Sequence, residues 1–287
     1  MNRKACFALL GLTTCVVGLF AAAPAGAIIG GERDTVHTSV GLVRFTTADG
    51  RFRCSGTLIS PTVVLTAGHC TDTKSGAVSA IVWASQEGGS LYNASTDTED
   101  PNTGYPYECL NSIAYPCAES HTLIEYGYVG NVYLHGNNRD VGMLILDDPI
   151  VLDEYASIAA AGTVDELAVG TEITYSGYGV SGEKPIVLSY RERLMAEGFI
   201  VSTHNTNTAG FNIQLSTNPG AGRGGSCFGD SGGPILYDDT DVILGVNSFV
   251  LNGQCAGVGF AYRVDQQDVI DWILANAVGD VNIVTVS

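Results

Sequence analysis

Residues 229–234 read Gly-Asp-Ser-Gly-Gly-Pro, and three glycines closed by a proline force this stretch into a tight turn that leaves its serine on display. A serine hydroxyl is a poor nucleophile unless a turn exposes it, a base takes its proton and backbone N–H groups face the developing oxyanion. Gly229 lets the chain approach a substrate carbonyl with no Cβ in the way, and Gly232 and Gly233 allow the turn beyond it. The base has to come from elsewhere in the chain.

Of the five histidines only His69 lies in a comparable context. It sits in Thr66-Ala67-Gly68-His69-Cys70, after the apolar run Thr62-Val63-Val64-Leu65, which places it at the end of a buried strand. Asp140 opens Asp-Val-Gly-Met-Leu-Ile-Leu and likewise precedes a strand. In this order the three stretches resemble the trypsin and chymotrypsin family of serine proteases, over nearly all of the chain after residue 27. The resemblance implies an all-β fold of two antiparallel Greek-key β-barrels, with the active site between them and a C-terminal α-helix. It implies Ser231 as nucleophile, His69 as base and Asp140 as the group that orients the imidazole. The N–H groups of Gly229 and Ser231 would form the oxyanion hole, and Ser248 matches the family serine that supports the aspartate.

The first 27 residues stand apart from that fold. Arg3 and Lys4 make a basic start, residues 5–23 are mostly apolar, and Ala25-Gly26-Ala27 is the small-x-small pattern of a signal-peptidase site. The protein is expected to be secreted, to the extracellular space or a periplasm, with no membrane attachment once the signal is removed. Removal leaves 260 of the 287 residues, with 11 of the 13 basic residues against 30 acidic ones, a formal charge of −19. That charge argues against nucleic acid as a partner. Protein or peptide substrates, and protein protease inhibitors, are the partners the resemblance implies. No cofactor is expected.

Cleavage after Ala27 would expose Ile28-Ile29-Gly30-Gly31, which resembles the mature start of the family. There the freed ammonium turns inward to the aspartate before the nucleophile, here Ile28 to Asp230. No activation peptide lies between Ala27 and Ile28, so signal peptidase itself is expected to generate the active enzyme.

A low charged fraction of 15% and 36 glycines favour strands joined by turns. Alternation in Val40–Phe45 and Cys54–Ile59 predicts half-buried antiparallel strands, with further strands in 141–152, 191–201 and 210–215 and in 171–179, where the alternation ends in a glycine turn. Residues 153–168 read as the crossing between an N-terminal barrel, 28–160, and a C-terminal barrel, 161–287. Val269, Ile270, Ile273, Leu274 and Ala277 give the apolar face of a terminal helix. Tyr178 stands where the family usually has Trp.

Six cysteines remain after export, an even number in an oxidising compartment, which favours three disulfides. The family pattern pairs Cys54 with Cys70 and Cys227 with Cys255, leaving Cys109 and Cys117 for each other. That last pair falls in residues 85–130, a long stretch without a family match that reads as a stapled surface loop. Asp97, Glu99 and Asp100 are carboxylates of the kind calcium takes, but a solvated acidic loop is the simpler reading, and no metal site is assigned. Asn93-Ala94-Ser95 fits a glycosylation sequon. His37, His121, His135 and His204 read as structural or exposed.

The residue six before the nucleophile lies at the base of the family's specificity pocket, and here it is Gly225. Without an aspartate there, cleavage after Arg or Lys is not expected. Gly225, Ser226 and Gly259 predict a neutral pocket, and Ser248-Phe249-Val250 resembles the elastases, with Val250 obstructing large rings. Small or medium apolar residues are the expected preference, aromatic residues second. The alternative from another class is a catalytically silent binding protein that keeps the fold and uses the 85–130 loop as its contact surface.

Overall fold

The computed structural model describes residues 28–86, 109, 116–129, 137–180, 192–218 and 223–286. The leader, the acidic triplet at 97–100, the sequon at 93–95 and His135 lie outside the described residues.

The first sheet holds seven strands. In chain order, after the two-residue β1 (Glu32–Arg33), these are β2 (Val40–Thr47), β3 (Gly50–Ser60), β4 (Val63–Thr66), β5 (Ser79–Trp83), β6 (Cys117–Ser120), β7 (Thr122–Glu125) and β8 (Gly142–Ile145). They pair in the order β6-β5-β2-β3-β4-β8-β7, all antiparallel. Alternation decides which way each side chain faces. On β2, Val43 and Phe45 join Leu58, Val64 and Leu144 in the barrel interior, while Val40 and Leu42 pack with Ile81, Trp83 and Tyr178 on the other face.

The second sheet comprises β9 (Ser157–Ala159), β10 (Glu172–Gly177), β11 (Leu194–Ser202), β12 (Asn212–Ser216), β13 (Pro234–Tyr237), β14 (Val242–Val250), β15 (Val258–Arg263) and β16 (Ile283–Val284), with β1 beside β11. Its order is β13-β10-β11-β12-β15-β14-β9-β16, and an added β13–β14 pairing closes six of the strands into a ring. Closure leaves no strand edge within that ring. The molecule is thus all-β with two barrels, as expected.

Between the barrels lies a shared apolar core. Ile59, Val63, Leu65, Val141 and Met143 of the first barrel meet Val246, Tyr262 and Val264 of the second. The C-terminal helix, Gln267–Asn276, closes this core with Val269, Ile270 and Ile273, the helical spacing read from the sequence. At the other end of the chain, Ile28 is fully buried in the second barrel's core with Ile173, Leu194 and Ile213.

Residues 153–168 do more than cross between halves. They contribute β9, which runs parallel to β14 and β16 within the second sheet, and a single helical turn, Thr163–Glu166. A three-residue strand is too short to show a period.

Disulfides join Cys54 to Cys70, Cys109 to Cys117 and Cys227 to Cys255, with Cα separations of 6.4, 5.7 and 5.2 Å. Closing the 16-residue span from Cys54 to Cys70 stabilises by about 3 kcal/mol, chiefly by restricting the unfolded chain.

Candidate active site

Strand pairing brings His69 and Asp140 together. Thr66, at the end of β4, pairs with Gly142, at the start of β8, so the residues just beyond each strand meet. His69 lies on one helical turn, Gly68–Thr71, directly after β4. Its backbone N–H donates to Asp140 Oδ1 at 2.8 Å, and its ring Nδ1 lies 3.1 Å from Oδ1 and 3.0 Å from Oδ2. Donation from Nδ1 leaves Nε2 as the ring's acceptor.

Asp140 is fully buried, whereas a quarter of the His69 side chain is exposed. Burial pulls the imidazole pKa down, but the charge and hydrogen bond of Asp140, with a smaller contribution from Asp72, hold it above the ordinary value.

The serine turn is fixed from the first barrel. Ser55, on β3, donates its N–H to Ser231 O at 2.8 Å and its hydroxyl to Gly229 O at 3.0 Å. Gly229 and Gly232 have φ of +98° and +78°, a backbone region that side chains disfavour. Ser231 and His69 line one cleft of about 470 Å³ with Tyr128, Ser226, Ser248 and Val250. Among the described residues no hydrogen bond joins the Ser231 hydroxyl to the His69 ring, so what they share is the cleft.

Asp230, next to the serine, has no exposed surface. Burial pushes its carboxyl up to about 7, against the N–H groups of Cys227 (2.9 Å) and Gly179 (2.8 Å) and the charge of Arg53. Ile28 likewise has no exposed surface. Ile29 and Gly225 exchange backbone hydrogen bonds of 3.1 and 3.0 Å, which ties the start of the fold to the segment entering the serine turn.

The expected pocket residues divide into two sets. Ser226, Ser248 and Val250 line the cleft, while Gly225 and Gly259 lie behind that lining against Thr217. Five lining residues were missed in the sequence: Tyr128, whose ring centroid is 6.2 Å from that of His69, Phe228 and Leu251, each about half exposed, and Asn252 and Gly253 beside Leu251. Nothing in their local pattern marks them, because loops carry them to the rim. Tyr178, in place of the family's Trp, is fully buried and donates its hydroxyl to Ser85 O at 2.6 Å.

Among the described residues one group of metal-ligand types converges, Cys54, His69 and Cys70. The two sulfurs are bonded to each other, so a single donor remains.

The protein-family description named Trypsin matches residues 28–273. The chain belongs to the trypsin family. Among relatives in this family of serine proteases, brachyurin of Leptuca pugilator is 28% identical over 233 residues, which cover 78% of this chain and 88% of brachyurin. A trypsin of Simulium vittatum is 28% identical over 225 residues, covering 74% of this chain and 79% of its own. The solved structure of HL collagenase superposes with a TM-score of 0.62 at 21% identity, over 87% of this chain and 98% of that one. Human heparin binding protein does so at 0.61 and 20% identity, over 88% and 99%. At such identity these two likenesses are likenesses of fold.

Proposed function

We propose that this trypsin-family protein is a secreted serine endopeptidase that hydrolyses peptide bonds with Ser231, His69 and Asp140. The observation that carries the reading is the fully buried Asp140 carboxylate gripping both the backbone N–H and the ring Nδ1 of His69, at the edge of a cleft that Ser231 also lines.

In the reaction, Ser231 Oγ attacks the substrate carbonyl carbon and His69 Nε2 accepts the hydroxyl proton. The contact forms as the peptide settles in the cleft, since such bonds commonly tighten only with substrate bound. The N–H groups of Gly229 and Ser231 hold the oxyanion. Collapse of the tetrahedral intermediate breaks the C–N bond, and His69 returns the proton to the leaving amine. Water then hydrolyses the acyl-enzyme by the same route. Asp140 stabilises the imidazolium formed along the way.

Export by the 1–27 leader frees the Ile28 ammonium, which pairs with Asp230. A carboxyl that burial holds near 7 gains most from a cation arriving at its side. Signal peptidase is therefore the activating enzyme, and the secreted protein should begin at Ile28; an N-terminal sequence starting elsewhere contradicts this step. Protein protease inhibitors are the further partners proposed for the same cleft.

Substrates are proteins or peptides cut after small or medium apolar residues, with no preference for Arg or Lys. Among the described residues no acidic side chain lines the cleft, and Val250 narrows it. The test is a peptide panel with Ala, Val, Leu, Phe and Arg at the cleaved position. Highest kcat/KM for Ala, Val or Leu is expected, and a clear preference for Arg overturns the specificity. If no peptide is cleaved, the silent binding protein is the reading that stands.

A further inference from the structure

Behind the cleft two glycines face one threonine. A Cβ built on Gly259 would lie 2.9 Å from Thr217 Cγ2, 3.5 Å from Ser226 Oγ and 3.7 Å from Val250 Cγ1. Ser226 and Val250 both line the cleft, whereas Gly259 and Thr217 do not, so the Thr217 methyl packs directly behind that lining. Likewise a Cβ on Gly225 would lie 2.5 Å from Thr217 Cα and Cβ and 2.9 Å from its Cγ2. Thr217 thus fills the room that both glycines leave.

Its position is fixed. Leu215 pairs with Gly259 and Ser216 with Val258 at the end of β12, and the Thr217 N–H donates to Gly257 O at 3.1 Å. A β-branched side chain on a held backbone has little freedom at χ1, so the methyl stays in place. Thr217 has no exposed surface, and its Oγ1 is a buried hydroxyl with no partner among the described residues.

We propose that Thr217 is the floor of the specificity pocket and sets its depth, admitting side chains up to the size of Val or Leu and stopping an aromatic ring. This rests on the peptidase reading above and supplies the residue that enforces its size preference. Val250 narrows the mouth, but the depth limit belongs to Thr217, which no sequence motif marks. A methylene in an apolar pocket is worth about 10- to 200-fold in discrimination, so removing the whole Thr217 side chain should move specificity visibly.

The test compares kcat/KM for peptides with Val and with Phe at the cleaved position in the wild type, Thr217→Gly and Thr217→Val. Thr217→Gly should raise the Phe-to-Val ratio by about tenfold or more. Thr217→Val, which keeps the volume and drops the hydroxyl, should leave the ratio near that of the wild type. An unchanged ratio in Thr217→Gly, or an equal rise in both variants, overturns the proposal. Thr217→Ala, with its Cβ retained, gives the same comparison should the glycine variant fail to fold.

Binding separates this inference from the peptidase reading. In a Ser231→Ala background, calorimetric Kd values for product peptides ending in Val or Phe report pocket depth without turnover. A wild type that hydrolyses nothing contradicts the peptidase reading, whereas a Kd ratio indifferent to residue 217 contradicts the floor.

Discussion

The Ser248 hydroxyl, on β14 of the second barrel, lies 2.5 Å from Asp140 Oδ2, on the first. Asn138 Nδ2 donates to the same hydroxyl at 3.2 Å, so the carboxylate that holds His69 is itself held from across the cleft. Ser248→Ala should lower kcat by about 10- to 100-fold, because a slightly misplaced base loses much of its alignment. KM for a small-residue substrate should change little. An unaltered kcat would mean that His69 alone positions Asp140.

Activity should rise with pH through a value above the ordinary histidine pKa of about 6.5. Burial opposes the charged ring, but Asp140 holds its pKa up, and a protonated base cannot take the serine proton. In Asp140→Asn the largest raising influence disappears, so the acidic limb of kcat/KM should move to lower pH while kcat falls by about 10⁴-fold. A limb that stays put would assign it to another group.

A second histidine governs stability. His37 is buried beside Asp34: its ring Nδ1 is 3.0 Å from Asp34 Oδ2, its N–H donates to Asp34 Oδ1, and Ser176 also donates to that carboxylate. Burial works against both charges. Even so, the Asp34 bond, with the Asp34 and Asp241 charges, raises His37 against the opposing Arg193. Burial likewise works against the Asp34 carboxylate, yet the His37 bond and charge, with Ser176, hold it far below the carboxylate range.

Because the His37 value is higher folded than unfolded, its contribution is full below about pH 6.5 and is lost as pH rises through the folded value. Asp34 has the opposite sign, with its contribution full above about pH 4 and lost as pH falls toward its depressed value. The Tm difference between wild type and His37→Gln should therefore be largest between about pH 4 and 6.5 and shrink at higher pH. A difference that is flat across pH would exclude the charged pair.

Arg263 is buried between two carboxylates, bonded to Asp165 at 2.7 and 2.9 Å and to Asp265 at 2.8 Å through two nitrogens. Arg263→Met leaves the fully buried Asp265 without its cation and should cost about 3–5 kcal/mol in denaturant unfolding. The double variant Arg263→Met, Asp265→Leu should recover much of that loss. No recovery would place the cost in packing rather than charge.

The sequence carried the site further than the fold's details. His69, Asp140 and Ser231 stand in stretches whose order and composition mark them, and β4 pairing with β8 explains why the first two converge. Thr217 was illegible because its place depends on two glycines from distant segments approaching it. Asp34 and His37 are three residues apart, yet their polar neighbourhood concealed a pair that distant residues enclose, Ser176, 142 residues from Asp34, and Arg193. By contrast His121 and His204 are exposed beside Asp147 and Asp165, as polar surroundings suggest. β9 was missed since three residues paired in parallel with β14 leave no alternation to read.

The most direct measurement is covalent labelling of the secreted protein with a fluorophosphonate, followed by peptide mapping of the adduct. A stoichiometric adduct on Ser231, abolished in Ser231→Ala and slowed severely in His69→Ala, is the expected result. A protein that begins at Ile28, is folded and takes no label at Ser231 would contradict the account.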